Sequence, residues 1–198
     1  MKQLLEQIQR DQDQLTEVNW RQLAGGALIA ANLLTGVPGN VDAKTTKPRQ
    51  ASVTQAEQNI DLNKLLHAIK QVESSGGKDT RVRYEPGVEK QLRKRFHKLN
   101  PNTKKAIEKY GYRALATSYG PYQLLASTVY DMGYSGDVET LKQDEVNKEW
   151  ALRYIKNLRN SSKTQKVEDV ISAYNAGLGR IGTNPHYINN VIGHYNKI

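Results

Sequence analysis

One carboxylate in this chain stands where a general acid could be made. Glu73 closes an apolar run of Leu62, Leu65, Leu66, Ile69 and Val72, and Ser74, Ser75, Gly76 and Gly77 follow it. Apolar residues at that spacing read as a helix, with Asp61 as its N-cap and the glycines as its stop. A carboxyl in the last helical turn is partly desolvated and sits at the negative end of the helix dipole; both effects favour its protonated form. A carboxyl that keeps its proton near neutral pH can protonate a leaving oxygen, as glycosidic cleavage requires. Taken alone, the segment is better described as an ordinary exposed Glu at a helix end.

Two more clusters carry polar groups at chain reversals. In Ser118-Tyr119-Gly120-Pro121-Tyr122-Gln123-Leu124-Leu125, Gly120 lets backbone approach a ligand, Pro121 stiffens the turn and Gln123 offers both a donor and an acceptor. Tyr119 and Tyr122 offer faces on which sugars can stack. In Ala173-Tyr174-Asn175-Ala176-Gly177, a Tyr and an Asn precede a glycine stop. By themselves these are also a Gly-Pro turn and a Gly-capped helix, and Tyr174 could simply fill the core.

In this order and spacing the three segments resemble the soluble lytic transglycosylase family, whose fold is related to goose-type lysozyme. That family carries a Glu-Ser pair after a helix, a Gly-x-x-Gln turn, an Ala-Tyr-Asn-Ala-Gly helix end and a Tyr-rich last helix. Here Glu73-Ser74, Gly120 to Gln123, Ala173 to Gly177, and Tyr187 with Tyr195 match them. The resemblance runs from Leu65 to Tyr195. One departure is Pro121-Tyr122, where the commonest family motif has Leu-Met. A second likeness, of Arg83-Tyr84-Glu85-Pro86-Gly87 to phage-encoded members, points to a virion-associated enzyme, with an exported bacterial enzyme as the alternative.

The resemblance implies a peptidoglycan lytic transglycosylase acting at the cell wall. Glu73 would protonate the oxygen between N-acetylmuramic acid and N-acetylglucosamine, then take the C6 hydroxyl proton as a 1,6-anhydro ring closes. One carboxyl changes role, unlike the acid-plus-nucleophile pair of retaining glycosidases. Ser74 would orient Glu73 or bind substrate; Gly120, Tyr122, Gln123, Tyr174 and Asn175 would hold the sugars. Glu85 is the candidate second carboxyl, although Arg81 and Arg83, if they touch it, would keep it ionised. Should Glu85 or Asp79 serve water as a base, the enzyme would be a muramidase.

The elements that must position these groups are mostly helical. Beyond the first, helices are expected at about 88–98, 101–110, 125–132, 142–159, 165–176 and 185–196, with Asn100-Pro101 and glycines as breaks. The expected architecture is a mainly α, lysozyme-like domain over 59–198, preceded by an arm (1–34) and a linker (35–58). Residues 1–22 form an amphipathic pattern, and Leu23 to Leu34 is apolar but too short for a confident membrane span. Its length suits a secretory signal, but the residues before it are net negative where a signal is positive. An uncleaved arm that meets a membrane or a virion protein is therefore expected.

Composition narrows the partner. The 198 residues carry a net charge of +9 and no cysteine, which excludes thiolate metal sites, disulfides and cysteine nucleophiles. The four histidines show no ligand spacing, and no cofactor or metal is expected. Residues 1–58 balance six basic against six acidic groups, so the whole charge belongs to the domain. Between Arg81 and Arg113 stand eleven Lys or Arg and three Glu. Such a cluster suits the anionic wall, and it could also neutralise phosphates of nucleic acid. Neither a helix-turn-helix nor an aromatic stacking motif accompanies it, so DNA binding is not favoured. A non-catalytic virion protein on the same fold is the third reading.

Overall fold

The computed structural model of the protein describes residues 60–198. The arm and linker, with the membrane or virion contact expected of them, lie outside the described residues.

Helix α1, Leu62–Ser74, opens the domain. Asp61 accepts from the Asn63 and Lys64 amides at 2.9 and 3.1 Å, which satisfies donors that a helix start leaves unpaired. Leu65, Leu66, Ala68 and Ile69 bury its apolar face. The helix stops because Ser75 turns left-handed at φ 52°, with Gly76 and Gly77 following at 74° and 95°. Glu73 thus stands one residue from the helix end.

The chain then runs through β1 (Arg83–Tyr84), α2 (Pro86–Lys94), a 3-10 turn (Phe96–Lys98) and α3 (Pro101–Leu115). Strands β2 (Thr117–Tyr119) and β3 (Leu124–Leu125) lead into α4 (Ala126–Asp131) and a second 3-10 turn (Val138–Lys142). Helices α5 (Asp144–Arg159), α6 (Val167–Ala176) and α7 (Pro185–Tyr195) complete it. The described domain is mainly α, as expected. Helix α3 outruns its expected end at 110 by kinking rather than stopping: Gly111 leaves helical geometry at φ 83°, ψ 162°.

The sheet was not foreseen. Its order is β1-β2-β3, all antiparallel, with Arg83 opposite Ser118 and Ser118 opposite Leu125. Strands of two or three residues are too short to show alternation. Small as it is, the sheet fixes both Arg83 and the start of the Gly120–Gln123 turn.

Helix α1 packs against α7 and α5, and α6 packs against both of those. Leu65, Ile69, Leu115, Leu141, Ile155, Ile171 and Val191 are wholly inaccessible in the shared core. Burying such side chains contributes about 1.5–3 kcal/mol each before the entropy of ordering them is counted. At the surface, Lys70 of α1 reaches Asp144 of α5 at 2.9 Å.

The basic segment occupies α2, the first 3-10 turn and α3. Arg93 lies 4.3 Å above the Tyr112 ring and Arg113 4.3 Å above the Tyr84 ring. These aromatic faces are covered by the protein's own cations, which leaves them poorly placed to stack on bases.

Candidate active site

The Glu73 carboxyl is almost entirely enclosed, with 7 % of its side chain exposed. Tyr187, on α7, donates its hydroxyl to Oε1 at 2.8 Å. The Arg83 guanidinium comes to 4.0 Å from Oε2 and is itself 57 % exposed. Burial raises the pKa of Glu73; the Tyr187 hydrogen bond and the Arg83 charge pull it back in part. Desolvation is the largest of the three, so the carboxyl holds its proton above the ordinary Glu range. Oε1 is occupied by Tyr187, whereas Oε2 has a cation nearby and no hydrogen bond from it.

Beside α1 lies the turn from Gly120 to Gln123. Asn147, fully buried on α5, holds it with three bonds: its Nδ2 donates to the Tyr119 and Leu141 carbonyls, both at 2.9 Å, and its Oδ1 accepts from the Tyr122 amide at 2.8 Å. Gly120 is required for this clamp. It adopts φ +73°, and a Cβ there would meet Asn147 Cγ at 2.4 Å and the Leu141 carbonyl oxygen at 2.5 Å. The close approach inferred for Gly120 is therefore made to Asn147.

The turn is also tied to the other motifs. The Ser74 hydroxyl donates to the Pro121 carbonyl at 2.7 Å, shares that proton with the Lys70 carbonyl at 3.1 Å, and accepts from the Gly77 amide at 2.9 Å. Tyr174 donates to the Tyr122 carbonyl at 2.8 Å, its ring 5.3 Å from that of Tyr154. Thus residues next to Glu73, in the turn and at the end of α6 brace one another.

These contacts correct several expectations. Ser74 is 1 % exposed and its hydroxyl is spent inside the fold, so it fixes the α1 end rather than meeting a ligand. Tyr119 and Tyr122 are 5 % and 3 % exposed; they pack inward and offer no free face for sugar stacking. Burial pushes the Tyr122 phenol up to about 12. Tyr174 is buried with its hydroxyl engaged, which makes it part of the frame.

Gln123 and Asn175 are placed differently. Gln123 adopts the left-handed φ of 48°, and its Nε2 donates to the Arg81 and Gly120 carbonyls at 3.1 and 3.0 Å. Its Oε1 is enclosed and has no partner within the protein. Asn175 is exposed at the end of α6, its Oδ1 accepting from Asn184 at 2.9 Å.

The contact of Arg81 and Arg83 with Glu85, on which its ionisation was made to depend, does not form. Arg81 binds Asp79 at 2.6 Å and Arg83 faces Glu73, while Glu85 precedes α2 without a side-chain capping bond. Hydrogen bonds from Arg81 hold the Asp79 carboxyl down at about 2, which makes it a weak base.

Sequence reasoning gave no role to Asn147 and did not connect Arg83 with Glu73. Asn147 did leave a trace. It lies three and four residues before Trp150 and Ala151, so it is a polar residue on the buried stripe of α5. For Arg83 no local signal existed, because a strand pair brings it to the helix end.

One protonatable carboxyl in an enclosed pocket, with a tyrosine on one oxygen and a guanidinium near the other, can donate a proton and then persist as a stabilised carboxylate. Comparison with known proteins points to a family. The family model described as "Transglycosylase SLT domain" matches residues 51–191. No curated protein and no solved structure matches the chain.

Proposed function

Because the chain belongs to the transglycosylase SLT-domain family, whose general function is peptidoglycan cleavage of the lytic transglycosylase type, we propose that Glu73 is its single acid and base. The enclosure of the Glu73 carboxyl, with Tyr187 bound to one oxygen, carries this reading. Protonated Glu73 gives its proton to the oxygen joining muramic C1 to the next sugar. As the C1–O bond breaks, the leaving sugar departs with a free hydroxyl. The carboxylate, steadied by Tyr187, accepts the proton of the C6 hydroxyl. That oxygen bonds to C1, which closes the 1,6-anhydro ring and regenerates the acid without consuming water.

In this reading Gln123 and Asn175 are the polar groups that meet the N-acetyl sugars, and Ser74, Tyr122 and Tyr174 position the pocket. Asp79, tied to Arg81, is a poor candidate to activate water, which disfavours a muramidase that relies on it. The proposed setting is a virion that opens the wall locally, supported by the likeness of Arg83 to Gly87 to phage-encoded members; finding the chain in purified virions would test that setting.

Digestion of purified peptidoglycan by the wild type and by Glu73→Gln, with products weighed by mass spectrometry, tests the mechanism. The expected wild-type products carry anhydro ends, and the variant releases none. Reducing ends would overturn the ring-closing step; unchanged release by the variant would overturn the role of Glu73.

A further inference from the structure

Arg83 occupies an unusual position. Its backbone is fixed by the pairing of β1 with β2, yet more than half of its side chain faces solvent beside the enclosed Glu73 carboxyl. Its guanidinium lies 4.0 Å from Glu73 Oε2, beyond hydrogen-bond reach, and its charge also acts on Asp79. Asp79 already has a bidentate partner in Arg81. Among the described residues, no acceptor takes a hydrogen bond from the Arg83 fork. A planar fork of five donors, open to solvent beside an enclosed acid, suits a planar bidentate anion.

Resting on the reading of Glu73 as the acid, we propose that Arg83 binds a carboxylate of the substrate and that this contact leaves Glu73 ready to donate its proton. In the free enzyme the guanidinium favours ionised Glu73. Once a substrate carboxylate neutralises it, that support falls away and Glu73 takes up a proton from solvent. Substrate binding and acid formation are then coupled. Among the described residues, the other titratable groups that act on Glu73 are the phenols Tyr187 of α7 and Tyr174 of α6. On its own helix, Lys70 is committed to Asp144. None of these projects a second open cation towards the carboxyl.

Peptidoglycan offers such carboxylates in two places: the peptide stems, or the lactyl group of muramic acid once a stem has been removed. Three soluble, uncrosslinked strand preparations separate them: intact strands, strands whose stem carboxylates are capped as neutral amides, and strands stripped of stems. Rates would be followed against pH for the wild type, Arg83→Gln and Arg83→Lys. The wild type is expected to cut capped strands about tenfold more slowly than intact ones, the scale of one charge-assisted contact. Stripped strands match the capped rate if stems supply the carboxylate, and recover the intact rate if the lactyl group can.

Arg83→Gln is expected to lose the preference for anionic strands while its circular dichroism and melting stay near wild type, and Arg83→Lys to keep part of it. Activity requires protonated Glu73, so it falls as pH rises. In the wild type on intact strands, that fall lies at higher pH in kcat than in kcat/KM. The two coincide on capped strands and in Arg83→Gln. A preference that survives Arg83→Gln, or a wild type that cuts all three strands equally, would overturn the proposal while leaving Glu73 as the acid. An Arg83→Gln that unfolds leaves the capped-strand comparison in the wild type to decide. If the wild type releases nothing from any strand, this inference and the reading beneath it fall together.

Discussion

Tyr187 and Glu73 meet through a 2.8 Å hydrogen bond although 114 residues separate them in sequence. The phenol donates to Oε1, so it binds the ionised carboxyl more strongly than the protonated one. It therefore opposes the upward push of burial on Glu73.

Replacing Tyr187 by Phe removes that donor, and the pKa of Glu73 is expected to rise further. Activity depends on the protonated form, so its decline on the alkaline side should move to higher pH. Rates of muropeptide release across pH 5–9 check this. An unmoved decline would show that the bond does not act on the reacting form.

Replacing Glu73 by Gln should raise stability although it abolishes activity. The folded pKa lies above the ordinary Glu range, so folding favours the protonated group. Its stabilising effect is complete below the unfolded pKa and is lost as pH rises through the folded one. Glu73→Gln keeps an acceptor for Tyr187 and carries no charge to bury. It is expected to melt about 2–4 °C above the wild type at pH 7 for each ~1 kcal/mol so relieved, with the gap closing near pH 4. Calorimetry at both pH values measures it.

The turn beside Glu73 should be sensitive to a residue that never faces the pocket. Asn147→Ala leaves the Tyr119 and Leu141 carbonyls and the Tyr122 amide without their partner. A loss of about 2–4 kcal/mol is expected in urea denaturation, together with reduced activity as the turn loosens.

Gly120→Ala is expected to cost about 2–4 kcal/mol, from the left-handed backbone and from collision with Asn147. Because one clash partner is Asn147 itself, the double variant with Asn147→Ala should lose less than the sum of the two. A double-mutant cycle reads the difference, and full additivity would show that the close approach is relieved elsewhere.

Much of this arrangement could be read from residue types. Helix α1 and its N-cap followed from Asp61 and the leucine spacing, and the desolvated carboxyl from its place before Ser75-Gly76-Gly77. What residue types do not carry is direction. The hydroxyls of Ser74 and Tyr174 suit a sugar as well as a backbone carbonyl, and only packing shows that both turn to the carbonyls of Pro121 and Tyr122. The same holds for Tyr122, whose ring is a stacking face if exposed and core if buried. Nearness in sequence made Glu85 the conceivable partner of Arg83, whereas the β1–β2 pair brings Arg83 to Glu73.

The union of α1 with α7 also bears on when the protein becomes active. During synthesis Glu73 emerges long before Tyr187, and α1 has no α7 to pack against until that helix has left the ribosome. A nascent chain therefore holds its acid without the group that steadies it. A chain cut short before Pro185 would lack that group altogether, so the cell making this protein meets a finished site only after translation has passed α7.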